Sequence, residues 1–104
     1  MTVRLVVACG GGIFTTTVVT DRIKEILWKE KIRFTITPAK ITEIANLRDA
    51  DLIVVTGKTT TRNANNIPVL IGMPLFTGVG AEEFTEQFLR EVRRIEEEKK
   101  NANP

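Results

Sequence analysis

Two apolar runs dominate the pattern along this chain: Val3 to Ala8, broken only by Arg4, and Leu52 to Val55 within Asp51 to Thr56. Short unbroken runs of this kind predict strands covered on both faces, as in a parallel sheet. Arg33 to Thr37 instead alternates and stops at Pro38, which predicts a half-exposed strand near a sheet edge. Ile67 to Ile71 predicts a short fourth strand, interrupted early by Pro68.

Between the strands the period changes. From Thr15 to about Lys29, apolar residues recur at Val18, Val19, Ile23, Ile26 and Leu27, with charges at Asp21, Arg22, Lys24, Glu25 and Lys29. That is an amphipathic helix, with Trp28 at the edge of its stripe. Phe84, Phe88, Leu89, Val92 and Ile95 give a second stripe and predict a helix from near Ala81, with Glu82 and Glu83 suited to its positive end. From Glu96 to Lys100 it is expected to fray, so residues 1–97 read as the domain and 98–104 as a polar tail. Ile41, Ile44 and Leu47 mark a helical turn or two. Lys58 to Asn66 and Thr77 to Gly80 read as loops, and Gly72-Met73-Pro74 as a turn.

Strand, helix, strand, short helix, strand, loop, strand, helix is the order of an α/β fold. It predicts a four-stranded parallel sheet of flavodoxin-like order 2-1-3-4 with helices on both faces. Ligands in such sheets bind at the carboxyl ends of the strands, at the switch point. Cys9 follows the first strand at that place.

It is the only cysteine in the chain, and Gly10, Gly11, Gly12, Ile13, Phe14, Thr15, Thr16 and Thr17 come after it. Glycines let backbone N–H groups approach an anion closely, and a helix N-terminus favours negative charge there. The same field lowers a thiol's pKa and makes a thiolate available as nucleophile. Each residue also has a plain structural reading. A lone cysteine is more often a small buried hydrophobe, glycines make turns, and threonines cap helices. A strand-to-helix loop at the switch point is not a core position, and this favours the reading in which sulfur meets phosphate. Ile13 and Phe14 are read as loop residues, one in the core or both in an exposed docking patch. Lys58 and Arg62 could attract a phosphorylated partner, although solvated surface charge is the commoner role.

Thr15 matters for what it replaces. Cysteine-dependent phosphatases use the pattern C-x5-R-[S/T], in which arginine clamps the phosphoryl group. With Thr15 at that place, the loop is expected to hold a phosphoryl group better than it hydrolyses one.

Composition narrows the classes further. Apolar residues are 42% and charged residues 27% of 104, which is ordinary for one globular domain. A net charge of +2, with signs interleaved as in Arg90-Glu91-Val92-Arg93-Arg94-Ile95-Glu96, argues against a nucleic-acid partner. With no histidine and one cysteine, neither a metal site of ordinary spacing nor an internal disulfide is expected. No cofactor is implied. No signal peptide or membrane span is read, so the cytosol is the expected compartment.

Val-Ala-Cys-Gly-Gly-Gly-Ile-Phe-Thr-Thr-Thr resembles the phosphocysteine loop of IIB components of the sugar phosphotransferase system, galactitol type. Asn66-Ile67-Pro68-Val69-Leu70-Ile71-Gly72-Met73-Pro74 and Thr77-Gly78-Val79-Gly80 are similar to later parts of the same family, and the likeness covers roughly residues 3 to 95. It implies that Cys9 is phosphorylated by the phosphohistidine of a IIA protein. It further implies that Gly10 to Thr16 hold the phosphoryl oxygens, and that a membrane IIC permease carries the polyol or sugar acceptor. The implied activity is that of a phosphotransferase at the inner face of the membrane. A low-molecular-weight phosphatase-like enzyme and a free regulatory domain of the same fold stay open as alternatives.

Overall fold

A computed structural model of the chain describes residues 2–9, 13–56 and 63–102. The elements are β1 (Val3–Cys9), α1 (Ile13–Lys29), β2 (Phe34–Lys40), a 3-10 helix (Ile41–Asn46), β3 (Leu52–Val55), β4 (Val69–Ile71), α2 (Met73–Thr77) and α3 (Ala81–Ala102). The four strands form one sheet of order β2-β1-β3-β4, and every neighbouring pair is parallel. The expected α/β fold and strand order are both found.

Alternation along β1 and β3 divides the core between the two faces of the sheet. Val3, Leu5, Val7, Leu52 and Val54 face Val19, Ile23 and Leu27 of α1 and Phe84, Phe88, Val92 and Ile95 of α3. Val6, Ala8, Ile53 and Val55 face Ile44 of the 3-10 helix. Both faces are therefore covered, which is why these strands carry no polar alternation. Among the described residues, the second cover is the six-residue 3-10 helix with Ile44 buried, joined by Leu47, Ala50 and Ile67.

Four local differences from the sequence reading have physical causes. The first helix starts at Ile13, not Thr15, so Ile13 and Phe14 belong to its first turn and not to a loop. The edge strand β2 runs on through Pro38, which pairs with Val7, because a sheet tolerates proline at an edge. Gly72-Met73-Pro74 is not a bare turn but opens α2. Proline suits a first helical turn, and Gly78, at φ 85°, caps the other end in the left-handed region. Glu96 to Lys100, expected to fray, continue as helix to Ala102.

That last extension has an anchor. The Lys99 ammonium donates to Asp51 Oδ2 at 2.8 Å and to the Thr2 carbonyl at 2.9 Å. The Arg4 N–H donates to the same Asp51 oxygen at 2.7 Å, and the Asp51 N–H donates back to the Arg4 carbonyl. The end of α3 is thus tied to the start of β1 and the residue before β3. Burial pushes the Asp51 carboxyl up, but the Lys99 hydrogen bond, the Arg4 N–H and the two cationic charges outweigh it and hold it below its ordinary value. A carboxylate depressed in the folded state stabilises above its unfolded pKa of about 3.9, and that contribution is lost as pH falls through the folded value. Asp51→Asn is expected to cost about 1–3 kcal/mol at neutral pH and to remove part of the acid sensitivity below about pH 4. Urea melts of both proteins from neutral to acid pH check this, and parallel pH profiles would count against it.

Asn63 closes the other cover. Its buried amide donates to the carbonyls of Ile44 at 2.7 Å and Leu47 at 2.9 Å, while its carbonyl accepts from the Asn65 N–H at 2.7 Å. With the Ala64 N–H, which donates to the Ala45 carbonyl at 2.9 Å, and the Asn65 side-chain amide, which donates to the Leu47 carbonyl at 2.8 Å, it fastens the stretch leading to β4 onto the 3-10 helix.

Candidate functional site

The carboxyl ends of the strands meet at one edge of the molecule. Cys9 is the last residue of β1, a central strand, and its backbone pairs with Lys40 at the end of β2. On the other side, the β1–β3 ladder ends at Ala8 and Val55. The Thr56 N–H then donates to the Ala8 carbonyl at 2.9 Å, and its buried hydroxyl donates to the same oxygen at 3.4 Å. Two donors on one carbonyl fix the peptide that leads into Cys9.

Gly72 performs the corresponding closure at β4. Its N–H donates to the Val55 carbonyl at 2.7 Å. A Cβ there would lie 2.6 Å from Val54 Cγ1 and 3.2 Å from Val19 Cγ1, so only glycine lets β3, α1 and the start of α2 approach this closely. Val19 lies in α1, so this contact helps set where that helix stands relative to the sheet.

Ile13 to Thr16 form the first turn of α1, four residues from the end of β1 at the nearest. The first N–H groups of a helix have no partners within it and carry its positive dipole end. Backbone placement therefore puts a thiol-bearing residue and a helix N-terminus at the same switch point. Gly10, Gly11 and Gly12 lie outside the described residues, as do Lys58 and Arg62. In the sequence Lys40 reads only as a residue near the start of the short helical turn at Ile41, with nothing to link it to Cys9. Only the strand register sets it beside Cys9. Among the described residues, no group of three acidic, cysteine or histidine residues could hold a metal ion, and no helix is long and apolar enough to cross a membrane.

Fold and position together define the class: a flavodoxin-like α/β domain with its one cysteine at the sheet's switch point. The chain belongs to the IIB subunits of the phosphotransferase system. The family described as "PTS system, Lactose/Cellobiose specific IIB subunit" matches residues 4–87. Over 86 residues the chain is 30% identical to the "PTS system galactitol-specific EIIB component" of Shigella flexneri, covering 83% of this chain and 92% of that protein. The protein of the same name from Escherichia coli (strain K12) is 29% identical over the same shares. The resemblance seen in the sequence is confirmed at the level of the IIB family, with galactitol-specific proteins among its relatives.

Proposed function

We propose that the chain is a cytoplasmic phosphoryl carrier that takes its phosphoryl group on Cys9 from a IIA phosphohistidine. It then passes the group to a polyol of the galactitol kind held by a membrane IIC permease. The observation that carries this reading is the position of Cys9 at the end of β1, immediately before the glycines and the N-terminus of α1, in a chain of the IIB family. The similarity to galactitol-specific components supports a polyol as the final acceptor.

The chemistry needs little from the protein beyond placement. The Cys9 thiolate attacks phosphorus, an S–P bond forms and the N–P bond of the donor breaks, its electron pair returning to the imidazole. In the second transfer an acceptor hydroxyl attacks phosphorus, an O–P bond forms as the S–P bond breaks, the thiolate is restored, and the hydroxyl proton passes to a base on the acceptor's side or to solvent. Gly10 to Gly12 and the first turn of α1, Ile13 to Thr16, are the segment assigned to phosphate binding, since glycines and a helix N-terminus favour an anion.

Incubation with a phosphorylated galactitol-type IIA protein tests this directly. Intact mass should rise by one phosphoryl group, and peptide mapping should place it on Cys9. Uptake on any other residue, or none at all, would overturn the assignment.

A further inference from the structure

A phosphoryl group on sulfur brings between one and two negative charges to its site. Phosphoryl-transfer sites usually meet that charge with a cation. Here the loop offers none: Gly10 to Thr17 contain no lysine or arginine, and Thr15 occupies the place of a phosphatase's arginine. The charge must be met from elsewhere, or by backbone dipoles alone.

We propose that Lys40 is the cation of this site and contacts the transferred phosphoryl group. This rests on the reading of Cys9 as the phosphorylated residue. Lys40 is the register partner of Cys9 at the last step of the β1–β2 ladder. Neighbouring strands lie about 4.8 Å apart, within reach of lysine's flexible four-carbon stem. Alternation along β2 assigns it a face. Ala39 packs with the core beside the 3-10 helix, whereas Phe34 and Ile36 pack on the α1 side. Lys40 shares the parity of Phe34 and Ile36, so it belongs to the face of the sheet on which α1 lies. It thus stands beside Cys9 on the same side as the helix N-terminus.

Its backbone is held and its side chain is uncommitted. Lys40 is extended, at φ −92° and ψ 148°, and serves as the first cap of the 3-10 helix without a side-chain hydrogen bond there. It is exposed, and among the described residues no acidic side chain pairs with it. Glu43, in the first turn of the 3-10 helix, is the acidic residue nearest to it in the chain and forms no ion pair with it. In the transfer, the Lys40 ammonium offsets charge on the phosphoryl oxygens while the N–P bond breaks and the S–P bond forms. Before transfer, the same ammonium favours the Cys9 thiolate.

Lys40→Gln and Lys40→Arg separate this from a structural role. Phosphoryl uptake from a phosphorylated IIA protein should slow about tenfold in Lys40→Gln, less than for a fully preorganised charge because solvent screens this one. The pH midpoint for alkylation of Cys9 by iodoacetamide should rise, and Lys40→Arg should restore both readings. The gap between wild type and Lys40→Gln should narrow in high salt. Equal rates and midpoints in wild type and Lys40→Gln would overturn the proposal. So would a Lys40→Arg protein as slow as Lys40→Gln with a lowered melting temperature. If wild type takes up no phosphoryl group, the function proposed for Cys9 fails instead, and the alkylation midpoints alone decide whether Lys40 acts on the thiol.

Discussion

Replacing Cys9 with alanine is expected to abolish phosphoryl uptake completely while leaving the melting curve of the protein nearly unchanged. The chain contains no histidine and no second cysteine, so no other side chain of the kind that carries phosphoryl groups in such relays can substitute. Cys9 is the final residue of its strand, and the register of β1 with β3 ends one residue before it. A parallel assay separates a carrier from a phosphatase. Hydrolysis needs an activated water and a clamp for transition-state charge, and Thr15 offers only a neutral hydrogen bond, roughly half as strong as a charge-assisted one. Wild type should therefore release negligible phosphate from aryl phosphates. Steady release that vanished in Cys9→Ala would restore the phosphatase-like reading.

The largest loss of stability is expected from Phe88→Ala. Phe88 is wholly buried, lies in the cluster shared by α1, α3 and the sheet, and stacks on Phe84 with ring centroids 6.0 Å apart and planes 13° from parallel. Truncating a buried phenylalanine costs about 3–5 kcal/mol, because lost burial and the remaining cavity add. The whole stability of a domain is about 5–15 kcal/mol, so near the middle of that range the variant loses about a third to a half of it. Urea denaturation should show a much lower midpoint with a similar slope. A cost under about 1 kcal/mol would mean that α3 collapses onto the sheet and refills the space.

Much of this architecture is legible in the residues themselves. The runs ending at Ala8 and Val55 declare strands buried on both faces, and the stripe from Phe84 to Ile95 declares the helix that covers one of them. Cys9 stands out because a solitary thiol before three glycines has few structural uses. Other features depend on partners remote in sequence. Lys99 reads as part of a fraying tail until folding sets it against Asp51 and Thr2, and Asn63 reads as loop until Ile44 and Leu47 supply its acceptors. The pairing of Lys40 with Cys9 is a matter of register, which no local pattern encodes. Gly72-Met73-Pro74 reads as a turn and Thr77 to Gly80 as a loop because Pro74 and the glycines break a helical pattern, although proline in a first turn fits the helix Met73–Thr77.

The ends of the sheet bear on how this protein behaves in a crowded solution. A row of unpaired N–H and C=O groups along an outer strand is a template on which another chain can add itself, the first step of many aggregates. Here the outer strand on one side is β4, only three residues long, too short to nucleate a stable ribbon. On the other side β2 is seven residues long, but Pro38 has no N–H to offer and Lys40 adds a charge at its end. An incoming strand would meet a gap in the ladder and a repulsive terminus if it carried the same sequence. Under the proposed carrier role, one end of the sheet meets successive partners while its sides stay unattractive to copies of the chain.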